Sequence, residues 1–259
     1  MKNILLAFLL FTLDASPRPE GAAAEAAVPA SGGHGLVSRA SQDGWTTLVG
    51  EKGLEAWKPA NGWSVVGDVA VDEADPKKLV LKTGAGVITN GNAKSANLFT
   101  AAEFGDAELH VEFTVSKGSN SGVYLMGRYE IQVLDSWGKK EASYSDCGGI
   151  YQRWDPKRGK GKEGFEGHAP KSNVSKAPGE WQSFDITFRA PRFDADGKKT
   201  ENARFIKVIH NGTVIHENVE VTGTTRAGAW EDEKARGPIM LQGDHGPVAY
   251  RNIRIRPVH

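Results

Sequence analysis

The stretch Ser119–Asp135, SNSGVYLMGRYEIQVLD, joins a tight polar turn to a segment in which every second residue is ionisable or carries an amide. Side chains two positions apart lie on the same face of a β-strand. The alternation therefore predicts a strand with one face in the core and one polar face, formed by Arg128, Glu130 and Gln132. Such a polar face is suited to binding a sugar, although an exposed face with a surface salt bridge is the alternative.

Short segments in which apolar and polar residues alternate continue along the rest of the chain. No part of it predicts a helix of more than two turns. Asn211-Gly212 between two of them indicates a hairpin. We expect an all-β fold, a sandwich or jelly roll of two antiparallel sheets. The predicted strands are Trp63–Val69, Lys78–Lys82, Ala107–Val115, Gly122–Met126, Tyr129–Leu134, Ser183–Phe188, Arg204–His210, Thr213–Glu217, Pro238–Gln242 and Val248–Ile255.

Two segments interrupt this rhythm of strands. Residues 153–176 are rich in Gly, Lys and Arg and predict a long solvated loop, whose aromatic residues would be unusual if it were passive. Residues 223–236 carry Trp230 and a run of charge, and they predict either a short helix or a loop at the edge of a groove.

The composition narrows the classes of ligand. Lys plus Arg equals Asp plus Glu at 32 each, so the chain has no overall field that favours nucleic acid or an acidic membrane surface. We expect a neutral ligand and a single folded domain over residues 44–259, which is long enough to bury a sizeable core.

The N-terminus has the three regions of a secretory signal peptide: Lys2, an apolar block over Ile4–Leu13, and small residues around Ala22–Ala27. The prediction is a signal peptide over residues 1–27, a disordered linker over 28–43, and a periplasmic or secreted bacterial protein. The apolar block is too short to span a bilayer, and no second one follows it. An uncleaved amphipathic anchor is the alternative.

Other common sites find little support in the sequence. Cys147 is the only cysteine, which excludes an intramolecular disulfide and favours a small buried residue over a nucleophile. No zinc-ligand spacing, phosphate-binding glycine loop or nucleophile elbow is present. Asp194-Ala-Asp196-Gly197 begins like a calcium loop, but the later ligands are missing, so a hairpin turn is expected.

Glu130 and His245 are the residues best suited to moving a proton. A carboxylate flanked by an amide and a guanidinium can accept a proton while its neighbours bind sugar oxygens. His245 follows a predicted strand in a polar turn, where it either acts as general acid or base near neutral pH or caps the turn. The tryptophans at 137, 154 and 230 offer flat surfaces for a sugar ring, whereas Trp181 is expected to be structural.

Seven segments, in order across residues 44–257, resemble the bacterial 3-keto-disaccharide hydrolase family, also described as 3-keto-glucoside 1,2-lyases and 3-keto-2-hydroxyglucal hydratases. They are Asn120–Tyr124, Tyr129–Asp135, Gly148–Tyr151, Pro178–Gln182, Ala190–Asp194 with Gly197-Lys198, His210–Gly212, and Gly237–Gln242 with Asp244–Gly246 and Arg251–Ile253.

This resemblance implies a concanavalin-A-like lectin/glucanase jelly roll and a glucoside already oxidised to a ketone at carbon 3. A ketone there acidifies the proton on carbon 2, so a base can remove it while the aglycone leaves carbon 1. Water then adds back to release 3-keto-glucose. The resemblance implies no cofactor, leaves a metal requirement open, and predicts a functional link to a separate sugar 3-oxidoreductase.

On this mechanism Glu130 or His245 is the expected base, with Arg128 and Gln132 stabilising the enolate oxygen. Two departures from the family pattern bear on aglycone preference: the basic Gly-rich insertion after Tyr151 and the short His245-Gly-Pro247 turn. A non-catalytic lectin-like module is the main alternative. An endo-glucanase ranks last because it needs two suitably spaced acids. The expected substrate-binding residues are Asn120, Tyr124, Asp135, Trp137, Tyr151, Gln242 and Asp244.

Overall fold

A computed structural model of the protein describes residues 43–258, so the predicted signal peptide and nearly all of the predicted linker lie outside the described residues. The described chain is built from β1 (Thr46–Val49), β2 (Ser64–Val71), β3 (Leu79–Thr89), β4 (Leu98–Phe99), β5 (Ala107–Val115), β6 (Asn120–Leu125), β7 (Tyr129–Leu134), β8 (Arg153–Trp154), β9 (Gly164–Phe165), β10 (Gln182–Arg189), β11 (Arg192–Phe193), β12 (Lys199–Glu201), β13 (Ala203–His210), β14 (Thr213–Val221), β15 (Met240–Leu241) and β16 (Val248–Pro257).

Two antiparallel sheets form the body of the domain. The larger sheet has eight strands in the order β14-β13-β10-β5-β16-β3-β2, with β1 also paired to β16, and the smaller sheet has the order β4-β15-β6-β7. Two further pairs, β8 with β9 and β11 with β12, are separate hairpins. This confirms the predicted all-β sandwich of jelly-roll type.

The hydrophobic core lies between the two sheets and follows the alternation of their strands. Tyr129, Ile131 and Val133 of β7 are fully buried in the same cluster as residues of β5 and β10. The Tyr129 ring lies 5.3 Å from that of Phe188 across the core. A hydrogen bond of 2.8 Å joins the hydroxyl groups of Ser121 in β6 and Tyr250 in β16. Because Tyr129, Ile131 and Val133 point into the core, Glu130 and Gln132 between them face away from it.

All ten predicted strands are present, and β5 and β7 have the predicted bounds. Most other ends differ by a few residues, but β3 continues to Thr89, beyond its predicted end at Lys82. The Asn211-Gly212 hairpin joins β13 to β14, and both residues have positive φ angles of 50° and 81°. Asp194 accepts backbone hydrogen bonds in the turn between β11 and β12, as expected for a hairpin rather than a calcium loop. β1, β4 and the short pairs β8–β9 and β11–β12 were not predicted, because strands of two to four residues carry little alternation.

The first of the two irregular segments differs from expectation, and the second matches one of its two predicted alternatives. Residues 153–176 contain the β8–β9 hairpin and a 3₁₀ turn over Pro156–Arg158. Residues 223–236 form no helix and run as a loop along β7, where Thr225 donates to the backbone of Arg128. Within residues 43–258 no helix has the length and apolar character needed to cross a membrane.

Phe184→Ala is expected to destabilise the domain by about 3–5 kcal/mol, because it leaves a large cavity in a packed core. Phe184 is fully buried and its ring lies 4.7 Å from those of both Phe113 and His210. Denaturant unfolding monitored by tryptophan fluorescence measures the change. Val80→Thr, on a side chain 47% exposed in β3, is the control and should stay within about 0.5 kcal/mol. A loss for Phe184→Ala no larger than that of the control would contradict this description of the core.

Candidate active site

A cavity of about 340 Å³ lies on the side of the smaller sheet that points away from the core. Side chains of β6 and β7 form its floor, and three loops form its walls. It is lined by Asn120, Tyr124, Glu130, Gln132, Tyr151, Arg226, Ala227, Gln242 and His245. Seven of these were predicted from the sequence as site residues, and the structure brings those seven together.

The register of the strands explains why these side chains converge. In the β6–β7 pair, Tyr124 lies opposite Glu130 and Gly122 lies opposite Gln132. On the other side of β6, the backbone N–H of Gln242 donates to the carbonyl of Gly122 at 3.0 Å. Outward-facing residues on three neighbouring strands therefore surround Gly122.

Gly122 makes room for the acid at the centre of the floor. A Cβ at this position would lie 2.5 Å from Oε1 of Glu130 and 2.7 Å from the Tyr124 ring. Both distances are shorter than any that real Cβ contacts show, so a side chain here would displace the carboxyl or the ring. The glycine thus lets the Glu130 carboxyl lie over the strand backbone.

Glu130 is 3% exposed, and its burial raises the pKa of the carboxyl from its ordinary 4.5 to about 8. The nearby Tyr124 hydroxyl partly offsets this effect on the pKa. At pH 7 roughly one molecule in ten then carries the ionised carboxylate. A group whose pKa lies this close to neutrality can give or take a proton under ordinary conditions.

The backbone of Glu130 is held on both sides. Its N–H donates to the Thr225 hydroxyl at 3.2 Å, and its carbonyl accepts from the N–H of Tyr151 at 3.2 Å. The Thr225 hydroxyl in turn donates to the carbonyl of Arg128 at 2.9 Å. Two loops are therefore fixed relative to the acid, which restricts its movement.

Three polar atoms around Glu130 have no hydrogen-bond partner among the described residues: Oδ1 of Asn120, the hydroxyl of Tyr124 and Oε1 of Gln132. All three are buried, and an unsatisfied buried polar group costs about 1–3 kcal/mol. Burial and the nearby Glu130 charge raise the pKa of Tyr124 well above its ordinary value, so its hydroxyl remains a donor. The cavity thus offers two acceptors and one donor to a polar, hydroxyl-bearing ligand.

His245 lies at the mouth of the cavity beside Asp244. Its Nδ1 lies 2.5 Å from Oδ1 of Asp244, and both side chains are about half exposed. A carboxylate at this position orients the ring, and Nε2 is the ring nitrogen outside this contact. Asp244 was predicted to bind substrate, but it does not line the cavity and contacts His245, which does.

Arg226, Tyr151 and Ala227 complete the wall. Burial raises the pKa of the Tyr151 hydroxyl, and the charge of Glu130 raises it further. Arg226 and Ala227 were not predicted as site residues, since the sequence indicates only a short helix or a loop at the edge of a groove over residues 223–236. The sequence feature that could have indicated them is the cluster of aromatic and charged residues in that segment.

The structure corrects the expectation for Arg128, which is not part of this cavity. It precedes β7 in the turn after Met126 and Gly127, where the strand alternation no longer applies. Its guanidinium donates to the carbonyl of Met126 at 2.9 Å and to Asp232, and it lies over the Trp230 ring. It lines a second cavity of about 570 Å³.

Asp135 and Trp137 also lie away from the cavity. The carboxylate of Asp135 accepts from the backbone N–H groups of Gly118 at 2.8 Å and of Trp137 at 3.3 Å. It therefore caps the turns at the end of the β6–β7 hairpin. The Trp137 side chain is 59% exposed and does not contribute to the lining.

Other candidate chemistries have little support. Cys147 is fully buried, and this burial raises the pKa of its thiol to about 12, so it is not a nucleophile near neutral pH. Among residues 43–258, no three or more His, Cys, Asp or Glu side chains are grouped so that they could hold a metal ion.

The fold and the site define a β-sandwich protein with a polar cavity for a small ligand on its smaller sheet. A family model described as a 3-keto-alpha-glucoside-1,2-lyase-like domain matches residues 44–256, and the chain belongs to this family. Membership confirms the resemblance seen in the sequence.

Solved structures with the same fold come from Parabacteroides distasonis ATCC 8503, and each is described as a "putative glycosyl hydrolase". One is 28% identical with a TM-score of 0.57, covering 83% of this chain and 84% of that chain. Another is 21% identical with a TM-score of 0.52, covering 83% and 99% respectively, and shows the fold alone. The search of curated proteins gave no match. Family membership and the first structure support a carbohydrate-processing enzyme.

Glu130→Gln is expected to stabilise the domain at pH 8–9, by on the order of 2–4 kcal/mol, and to change little at pH 5. The folded-state pKa of about 8 lies above the ordinary 4.5, so the protonated acid is favoured in the folded protein. The contribution of the Glu130 carboxyl to folding stability is present in full below pH 4.5, and it is lost as the pH rises through 8. Denaturant unfolding across this range measures the difference.

Glu51→Gln is the matched control, since Glu51 is exposed at the surface. It should give the same stability change at both pH values. If Glu130→Gln likewise shows no dependence on pH, the carboxyl is not buried as described.

Proposed function

We propose that this protein is an exported enzyme that cleaves the glycosidic bond of 3-keto-glucosides by elimination across carbons 1 and 2, followed by hydration. The observation that carries the proposal is the Glu130 carboxyl. It is buried, its pKa is raised to about 8, and it faces a ligand-sized cavity lined by unpaired polar atoms. Membership of the 3-keto-alpha-glucoside-1,2-lyase-like family supports the type of substrate.

In the first step Glu130 acts as the base. The ionised carboxylate takes the proton from carbon 2, whose acidity comes from the ketone on carbon 3. The electrons of that C–H bond form a double bond between carbons 2 and 3, which places negative charge on the ketone oxygen. As this enolate collapses, the ketone re-forms, a double bond forms between carbons 1 and 2, and the bond from carbon 1 to the aglycone oxygen breaks. A base with a raised pKa suits this step, because a stronger base removes a carbon-bound proton more readily.

Donors near Glu130 stabilise the enolate oxygen that develops on carbon 3. Tyr124 holds a buried hydroxyl without a partner, and its raised pKa keeps it protonated. Gln132 donates one amide hydrogen to the carbonyl of Ser145 at 3.2 Å, which leaves its second amide hydrogen for the substrate. Donors fixed before the reaction stabilise such a charge with little reorganisation. Tyr124 thus takes the role that the sequence suggested for Arg128.

His245 completes the reaction as the proton donor to the leaving aglycone oxygen. Its position at the cavity mouth, oriented by Asp244, suits a group that exchanges protons with solvent. In the hydration step the same residues act in reverse: a hydroxide equivalent adds to carbon 1 and Glu130 returns the proton to carbon 2. The product is 3-keto-glucose.

Direct hydrolysis by two acids is less well supported. That reaction needs a pair of carboxyl groups about 5–10 Å apart on either side of the glycosidic bond. Glu130 is the one carboxyl among the residues that line the cavity in the described chain, and Asp135 is engaged in capping turns. A single acid beside unpaired hydrogen-bonding groups suits elimination better.

We also propose that the enzyme acts in the periplasm or outside the cell, on the basis of the N-terminal sequence pattern. Its substrate must be made by a separate sugar 3-oxidoreductase, because the elimination needs a ketone that glucosides lack.

The test compares 4-nitrophenyl 3-keto-glucoside with the unoxidised 4-nitrophenyl glucoside, in both anomers. Release of nitrophenol from the keto sugar alone is expected, with transient absorbance from the enone. Glu130→Gln should lower kcat by about 10²–10⁴-fold, since it removes the base but keeps the shape of the cavity. Binding of the unoxidised sugar without turnover of either compound would favour a lectin-like module. Full activity in Glu130→Gln would remove Glu130 from the reaction.

The dependence of kcat/KM on pH tests whether Glu130 is the base. If the ionised form is required, activity should rise about tenfold per pH unit below pH 8 and level off above it. Initial rates between pH 5.5 and 9.5 give the profile, with 3-keto-glucosyl fluoride as substrate, because fluoride leaves without a proton from His245 and does not titrate in this range. Activity that falls as the pH passes 8 with this substrate would contradict the role of Glu130 as the base.

A further inference from the structure

Arg226 is a charged residue in the cavity wall whose side chain has no acidic partner. It lines the cavity, yet its guanidinium makes no ion pair and no side-chain hydrogen bond within the described part of the chain. The contact it does make is with Trp154, over whose ring it lies at 3.9 Å. Several other arginines of the domain are paired with carboxylates, for example Arg153 with Glu166 and Arg192 with Asp106, whereas Arg226 faces a cavity and is unpaired among the described residues.

The loop that carries Arg226 is fixed relative to the catalytic acid. Its neighbour Thr225 binds the backbone of both Arg128 and Glu130, and the N–H of Arg226 donates to the carbonyl of Gln152 at 2.8 Å. Ala227 follows with a φ of 65°, an uncommon conformation for a residue with a side chain. Such strain persists only where the surroundings impose it, and it often marks a functional site.

The hairpin that supplies Trp154 adds further positive charge beside Arg226. Residues 153–165, here called the basic hairpin, contain five Lys or Arg and two acids. The ammonium groups of Lys157, Lys160 and Lys162 form no ion pair with described residues, whereas Asp155 caps the 3₁₀ turn. Although the whole chain has no net charge, the basic hairpin that packs on Arg226 through Trp154 has an excess of positive charge.

The charge balance inside the cavity points the same way. Glu130 is the one carboxyl among the described residues of the lining, and it forms no ion pair with Arg226. The guanidinium is therefore left without a charged partner inside the cavity. A planar guanidinium stacked on an aromatic ring keeps its N–H edge free, and this edge matches the geometry of a carboxylate.

We propose that Arg226, positioned by Trp154, binds an anionic group on the aglycone, so that the enzyme prefers glucosides whose aglycone carries a carboxylate. This inference rests on the proposed function, because it concerns the substrate of the same site. It replaces the expectation of a wholly neutral ligand. Trp154 acts as a positioning residue, because it orients the guanidinium without touching the substrate itself.

The experiment uses two ligands of nearly equal size, 4-carboxyphenyl and 4-carbamoylphenyl 3-keto-glucoside. The wild-type chain should favour the carboxylate by about tenfold in kcat/KM, the value of one charge-assisted hydrogen bond. Arg226→Gln should bring this ratio close to one. The change in this kcat/KM ratio between the wild type and Arg226→Gln does not depend on the difference in reactivity between the two leaving groups. The wild-type preference should also weaken between 20 and 500 mM salt.

Two further variants separate direct contact from general charge. Lys207→Gln removes one positive charge from an exposed position on β13 and should leave the ratio unchanged. Trp154→Leu should lower the ratio by a smaller factor than Arg226→Gln, since the guanidinium remains but loses its orientation. A ratio in Trp154→Leu equal to that of the wild type would overturn the positioning role.

Binding of the unoxidised 4-carboxyphenyl and 4-carbamoylphenyl glucosides, measured by calorimetry, separates this inference from the reaction itself. A preference for the carboxylate that Arg226→Gln abolishes would support the inference even without turnover of a keto sugar. Turnover of both keto sugars with a ratio near one in the wild type would overturn the inference and leave the reaction intact. Failure of the 4-carboxyphenyl glucoside to bind more tightly than the 4-carbamoylphenyl glucoside would also overturn it.

Discussion

The burial of the Glu130 carboxyl over Gly122 is the constraint on which the rest of the site depends. The antiparallel register of β6 and β7 sets Tyr124 opposite Glu130, and the missing side chain at Gly122 gives the carboxyl room to lie against the strand. Burial then raises its pKa to about 8. One steric fact of the sheet thus determines whether the acid is available for proton transfer near neutral pH.

This arrangement works against stability, and the surrounding hydrogen bonds keep it in place. A buried acid and three unpaired polar atoms are all unfavourable in the absence of a ligand. Thr225 and Tyr151 hold the backbone of Glu130 from two sides, which prevents the strand from moving to expose it. The large sheet behind supplies the core that makes such a site tolerable. Sites that exchange stability for reactivity in this way are common in enzymes.

The strand pattern predicted the floor of the cavity because side chains alternate wherever a strand is regular. Glu130 and Gln132 lie on the predicted face, with the aromatic and aliphatic residues between them in the core. The same rule failed for Arg128, which lies in the turn before β7 and points to Asp232. Asp135 was misplaced for a related reason, since it follows the last residue of the strand and caps a turn.

The sequence by itself determined the all-β class, the family and the polar strand face that carries Glu130 and Gln132, because these depend on local alternation and on short ordered motifs. Only the tertiary structure decided which residues form the walls. Arg226 is 96 positions from Glu130 in the chain, and Trp154 belongs to a hairpin with no regular pattern. Their approach to the cavity depends on backbone contacts such as those of Thr225, which connect loops to strands and leave no periodic signal.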